Sequence, residues 1–443
     1  MSARTGADIA AVDALEILDS RGHPTVRAMV RLADGSLGEA GVPSGASTGA
    51  HEAHELRDGD PLRFGGRGVR QAVANVRGPL ADAVRGRSAL EQGAVDAALI
   101  AADGTPAKKR LGANALLAVS MATAIAAANH QGLPLHGHIA GIAGGQGTDG
   151  SPLAPPSLPL PMINLFSGGK HAGGQVDFQD FLIVPRGAQS MEEALQMTHG
   201  VYYTALEMLR AEQGYQGLVA DEGGLAPVLP SNRAMLELAT RAIERAGYRP
   251  LEQVAIAVDV AASHFYREGA YHLAVEGRAI GGEEMAARLT EWQGEFPILS
   301  IEDGLAEDDW PHWATLTAAI GGRCQVLGDD LFVTNTGRME MGRGHGAGNS
   351  VLIKVNQAGT LSEALAAMRL ARALGWTTVV SARSGETEDA WLADLAVGTG
   401  GGQIKIGAIT RSERLAKYNR LLAIAHTHPT LPFARDVLDR FVG

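Results

Sequence analysis

Between residues 9 and 42 apolar and polar positions alternate in three runs, I-A-A-V-D-A-L-E-I-L, T-V-R-A-M-V-R-L and L-G-E-A-G-V. They are separated by D-S-R-G-H-P and A-D-G-S. A period of two broken by Gly, Pro and Asp predicts a β-meander of three strands. Residues 51–130 read as helices. The longest apolar stretch, 111–128, is Ala-rich and interrupted by Ser and Thr; it is too short for a membrane span and predicts a fully buried helix. Strands followed by helices make the first part α+β. Residues 139–159 are rich in Gly, Pro and Ser with no period, which places a domain boundary there. The expected organisation is an N-terminal domain over 1–140, a linker over 141–158 and a second domain over 159–443.

The second part has a different rhythm. Short apolar runs end at, or carry near their ends, one ionisable residue: V-A-I-A-V-D with Asp259, I-L-S-I-E-D with Glu302, C-Q-V-L-G-D-D with Asp329, V-L-I-K with Lys354, T-V-V-S-A-R with Arg383 and Q-I-K with Lys405. The intervals are 43, 27, 25, 29 and 22 residues, with helical patterns such as 361–374 between. A spacing near one strand, one helix and two loops predicts repeated βα units and a closed α/β barrel, in which strand C-termini meet at one rim. The charges therefore converge. Three carboxylates brought together need a cation, and oxygen ligands without Cys or His favour magnesium.

Lys354 stands inside the run V-L-I-K-V-N-Q, 351–357, in a chain that has six lysines among 38 basic residues. Read as a central strand, this run buries an ammonium; burial lowers a lysine's pKa toward the range of a general base. Arg383 and Lys405 are candidates for binding an anionic substrate.

A net charge of −11 and the absence of any basic run argue against nucleic acid as a partner. The single cysteine, Cys324, excludes an internal disulfide and fits a reducing cytoplasm. The N-terminal segment shows no apolar signal core, so a soluble cytoplasmic protein with no membrane partner is expected. The loop V-P-S-G-A-S-T-G-A, 42–50, reads as a connector by itself, and His171 within S-G-G-K-H as a surface histidine.

Longer matches change these last two readings. D-S-R-G-H-P-T-V, V-P-S-G-A-S-T-G, E-L-R-D-G-D, D-E-G-G, V-D-V-A-A-S, S-I-E-D, G-D-D-L-F-V-T-N, K-V-N-Q-A-G-T, R-S-G-E-T-E-D and I-K-I-G-A with R-S-E-R-L-A-K-Y-N occur in this order. In them the chain resembles the enolase (phosphopyruvate hydratase) family from end to end. The resemblance implies an N-terminal α+β domain and an eight-stranded enolase-type α/β barrel whose first strands break the parallel pattern. It implies Lys354 as general base, Glu222 as the acid assisting loss of the 3-hydroxyl, Asp180 working with Glu222, and His171 on a closing loop. By the same resemblance Asp259, Glu302 and Asp329 hold a first magnesium, and Ser47, in a lid loop, reaches a second. Gln179, Arg383, Ser384 and Lys405 would bind the substrate, and the first domain would form a homodimer or larger homo-oligomer.

Three positions depart from the family pattern. Asp180 replaces a glutamate in F-Q-D-F, Ala382 replaces a histidine in S-A-R-S-G-E, and Lys170 stands where a small residue is usual. Together they shorten an acid, open space and add a cation at the substrate. This favours a phosphorus group larger or more anionic than phosphate, such as that handled by carboxyphosphonoenolpyruvate synthase of phosphinate antibiotic biosynthesis, over the phosphate of glycolytic 2-phosphoglycerate. An inert enolase-like binding protein is the remote alternative, since every reactive side chain is present.

Overall fold

The structure is a computed structural model and describes residues 6–46, 49–144 and 153–442. The predicted meander is present as β1 (Ile9–Leu18), β2 (Pro24–Leu32) and β3 (Leu37–Gly41), paired antiparallel in the order β1-β2-β3. The helix Ala113–Gln131 covers it and has 15 of its 19 residues buried, as the Ala-rich pattern predicts. Contact is close because Gly38 has no side chain: a Cβ there would lie 2.0 Å from the Ala122 carbonyl oxygen. Small residues on both elements let the backbones approach and bury the Ala face. The helical reading of 51–130 is corrected at its start. Residues 53–60 lack regular structure, and helix begins in earnest at Arg70.

The stretch read as linker also differs. The helix Leu135–Gly144 runs into it, burying Ile139 and Ala143, and Ile139 lies against Gly398 of the helix Trp391–Gly398. Residues 145–152 of that stretch lie outside the described residues. Among the described residues no helix is long and apolar enough to cross a membrane.

From residue 160 the chain builds a closed eight-stranded barrel. Its strands are β4 (Leu160–Ser167), β5 (Asp180–Val184), β6 (Ala255–Asp259), β10 (Ile298–Glu302), β11 (Gln325–Gly328), β12 (Ser350–Ile353), β13 (Thr377–Ser381) and β14 (Gln403–Gly407). A small antiparallel sheet, β7 (Tyr266–Arg267), β8 (Ala270–Leu273) and β9 (Arg278–Ile280), is inserted after β6. All barrel neighbours pair parallel except around β5, which runs antiparallel to both β4 and β6.

Side-chain alternation then explains the site. Leu182 and Val184 of β5, Ala255 and Ala257 of β6, Leu327, Leu352 and Val379 form the apolar interior, plugged from below by Leu438 and Phe441. One period of two further toward the rim, the inward positions become Asp180, Asp259, Asp329, Lys354 and Ser381. β5, β6, β11 and β12 are therefore apolar low in the barrel and lead to an ionisable residue at the rim. The reversed direction of β5 brings its first residue, Asp180, to the rim where the other strands end.

Candidate active site

Lys354 is not mid-strand. β12 ends at Ile353, and Lys354 is the residue that enters the short helix Val355–Ala358. The chain turns here because Thr334 Oγ1 accepts the Lys354 backbone N–H at 2.9 Å, which stops the ladder and aims the ammonium over the rim. Several rim turns use left-handed residues other than glycine: Ala261 (φ 49°), Asp303 (φ 43°), Thr334 (φ 53°) and Arg411 (φ 72°). Such conformations cost on the order of 1–3 kcal/mol each and persist where surrounding contacts fix them. Asp303 shows how: its carboxylate accepts the backbone N–H of Asp329 at 3.0 Å and of Asp330 at 2.7 Å, which fixes the turn that presents Asp329.

The carboxylates and cations meet in two groups. Lys405 Nζ lies 2.8 Å from Asp259 Oδ2 and 2.7 Å from Glu302 Oε2, while Lys354 Nζ pairs with Asp329. All five groups are buried. Burial, reinforced by Asp259, pushes the Glu302 carboxyl up to about 8. Burial draws the Lys354 ammonium down as the sequence reading expects, but the attraction of Asp329 outweighs it and leaves the group above its ordinary value. That corrects the expectation of a depressed lysine.

Across the rim, His171 Nδ1 lies 2.7 Å from Asp180 Oδ2, and Ser167 donates to Asp180 Oδ1 at 2.6 Å. Asn164 donates to Glu222 Oε2 at 3.3 Å. Burial opposes a charged imidazole, yet Asp180 and Glu222 raise His171 to about 9. His171 is thus buried, contrary to the surface histidine that its loop alone indicates. Glu222 is held below its ordinary value: burial raises it, and the charges of His171, Arg414, Lys405 and Lys354 overcome that.

Arg383 lies two residues beyond β13. It donates from Nη1 to Asn356 Oδ1 at 2.9 Å and to Glu52 Oε2 at 3.1 Å. Ser384 Oγ accepts the Ala46 backbone N–H at 2.7 Å and Arg21 Nη1 at 3.2 Å. These contacts fasten the N-terminal domain to the rim, and Gly385 permits them: a Cβ there would lie 2.3 Å from Asp19 Oδ2 and 2.7 Å from the Ser44 carbonyl. Lys354, Glu222, His171, Ala382, Arg383 and Lys405 line one cavity, together with Gln179. Lys170, the residue before His171, is exposed. Ser47 lies outside the described residues.

Oxygen ligands suited to a hard cation are abundant. Gln179 Nε2 donates to Asp259 Oδ2 at 3.1 Å, and Gln179 Oε1 is buried with no hydrogen-bond partner among the described residues. A buried acceptor left bare beside Asp259, and a glutamate driven toward its neutral form by burial and then by a neighbouring carboxylate, suit a place where further positive charge can be held. A divalent cation fits. Ligand atoms of Asp303, Asp329 and Asp330 lie within 4.8 Å of one another, as do those of His171, Asp180 and Glu222. Asp303, Asp330, Glu52, Asn356 and Gln357 carried no role in the sequence reading. The first two follow Glu302 and Asp329 directly and repeated acids could have flagged them; nothing around Glu52 did.

Residues 9–139 match the family model described as "Enolase, N-terminal domain", and residues 155–429 match "Enolase, C-terminal TIM barrel domain".

Proposed function

Because the chain belongs to the enolase family, we propose that it is a magnesium-dependent hydro-lyase that removes water from a 2-phosphoglycerate-type acid to give an enolpyruvate product. The observation that carries this is one cavity faced by two kinds of proton-transfer group: Lys354 from the turn after β12, and Glu222 with His171 from the side of β4 and β5. Opposed groups suit an anti-elimination, in which a proton leaves C2 on one face and hydroxide leaves C3 on the other.

In this reading Lys354 Nζ accepts the C2 proton after its own ammonium has released one. The departing C3 hydroxyl takes a proton on the opposite side from Glu222, which the neighbouring His171 resupplies and beside which Asp180 works; the products are water and the enol ester. Gln179, Lys405, Arg383 and Ser384 orient the acid. Asp259, Glu302 and Asp329 would hold magnesium, which supplies neutralising charge for a substrate carboxylate when bound, the pairing with a lysine base that is established for the enolase superfamily. Ser47 would serve a second magnesium from the lid, and the first domain would assemble a homodimer or larger oligomer.

The phosphorus group is proposed to be larger or more anionic than phosphate. Ala382 lines the cavity between Ser381 and Arg383, where the family pattern carries a bulkier histidine. Lys170 adds an exposed cation. Asp180 is drawn back onto Ser167 and His171. Supplying the purified protein and magnesium with 2-phosphoglycerate, and separately with its carboxyphosphono analogue, tests this. Preferential dehydration of the analogue is the expected result; fast formation of phosphoenolpyruvate would make the protein a plain glycolytic enolase.

A further inference from the structure

Arg383 is a wall between two spaces. On its inner side is the cavity of Lys354; on its outer side is a cavity of about 470 Å³ between the two domains, lined by Glu52 and Asn356. Glu52 is a residue of the first domain, three positions past Gly49, with a side chain only 9% exposed. Its Oε1 accepts the Gly49 backbone N–H at 3.1 Å, Gln357 Nε2 at 3.2 Å and Arg383 Nη2 at 3.1 Å; its Oε2 accepts Arg383 Nη1 at 3.1 Å. A two-point grip on a guanidinium fixes orientation as well as charge.

Gln357 continues the connection. The same Nε2 that meets Glu52 donates to Asp329 Oδ1 at 2.8 Å, and the other Asp329 oxygen holds Lys354. The amide is not free to turn: Gln357 Oε1 accepts Thr334 Oγ1 at 2.8 Å, and that same hydroxyl oxygen accepts the Lys354 backbone N–H. Ala53 N–H also donates to the Gln357 carbonyl at 2.9 Å. A displacement of Glu52 is therefore transmitted to Arg383 directly, and through Gln357 to both attachments of Lys354.

We propose that Glu52 and Gln357 are positioning residues that couple the loop at Gly49–Ala53 to Arg383 and to Lys354, so that an anion held by Arg383 orders the loop and sets the base in register. This rests on the reading of Arg383 as a substrate-binding group. The buried charge pair between Glu52 and Arg383 spans two domains and is joined through the Gln357 amide to Asp329, the partner of Lys354. Its effect is mechanical, because a shift of about 1 Å at a reacting group can cost on the order of a hundredfold in rate.

The test is a double-mutant cycle with Glu52→Gln and Gln357→Met, both close to the native volume. Each alone is expected to lower kcat/KM by about 10- to 100-fold. The double variant is expected to lose little more than the worse single one, because residues acting as a unit are not additive. Losses that simply multiply would overturn the proposal.

A second readout needs no turnover. With magnesium present, inorganic phosphate is expected to slow amide hydrogen exchange over residues 49–53 of the wild-type protein. The slowing should vanish in both variants although phosphorus NMR still shows phosphate bound. Equal slowing in the variants, or none in the wild type, overturns the coupling. If the wild type dehydrates neither acid yet its loop responds to phosphate, the functional reading fails and the coupling stands. Should Glu52→Gln not fold, Glu52→Asp, too short to span Gly49 and Arg383 together, is expected to give the same loss.

Discussion

Replacing His171 by asparagine should flatten the dependence of stability on pH between about 6.5 and 9. His171 is buried and its imidazole is raised from the ordinary 6.5 to about 9: burial works against the charge, while Asp180 at 2.7 Å and nearby Glu222 overcome it. A basic group raised on folding binds its proton more tightly in the native state, so its contribution is complete below pH 6.5 and is lost as pH climbs through 9. At 1.36 kcal/mol per pH unit, a displacement of about 2.5 units is on the order of 3 kcal/mol. Spread over 443 residues, with an unfolding entropy near 2.1 cal/mol/K per residue, that is roughly a 3 °C fall in midpoint. Glu302, raised to about 8 by burial and Asp259, works in the same direction below pH 8, since a carboxyl kept neutral on folding also loses stability as pH rises. The assay is scanning calorimetry of magnesium-free protein at several pH values, wild type against His171→Asn, whose amide can still donate to Asp180. The wild-type midpoint should fall more steeply than the variant's. Parallel slopes, or a wild-type midpoint that rises across the window, would refute the assignment of an imidazolium to this pocket.

Other expectations follow from single contacts. Lys354→Ala is expected to lower kcat by about four orders of magnitude while the melting curve stays cooperative; turnover that survives it removes the lysine from the role of base. Ala382→His combined with Asp180→Glu is expected to raise turnover of 2-phosphoglycerate measured as phosphoenolpyruvate formation, and no gain would show that the cavity at Ala382 does not set specificity. Gly38→Val is expected to cost about 1–3 kcal/mol or more, read as a lowered midpoint, because its Cβ would sit 2.0 Å from the Ala122 oxygen of the packed helix.

The barrel was legible in the sequence because its rhythm is local: an apolar run, one charge, a helix, and again. Asp259, Glu302 and Asp329 could be placed at strand ends for that reason, and the structure brings all three to one rim. What spacing could not give is who neutralises whom. Lys405 between Asp259 and Glu302 depends on a barrel closure that joins residues 146 and 103 positions apart, and Asp329 on Lys354 depends on the pairing of two neighbouring strands. The lysine was expected to be lowered by its apolar run; the opposing carboxylate arrives from another strand, so the run alone had the wrong sign. His171 was likewise misread from its glycine-rich surroundings, because Asp180 reaches it only through the reversal of β5. Glu52 was invisible for a similar reason: its partners Arg383 and Gln357 lie 331 and 305 positions away.

That reversal also bears on how the two sides of the cavity are held. A strand running with its neighbours offers the rim its last residue, and the loop after it is free to leave. β5 instead offers its first, so the loop that precedes it, with His171, must lie over the rim and be fastened there by Asp180 and Ser167. The Lys354 side is fastened differently, by side chains of the strand-end turns, Thr334, Gln357 and Asp329. Two independent supports let the His171 side change, as the shorter Asp180 requires, without disturbing the register of Lys354. On this argument the His171 side of the cavity is where a residue can change without moving Lys354, and the turns around Lys354 are where it cannot.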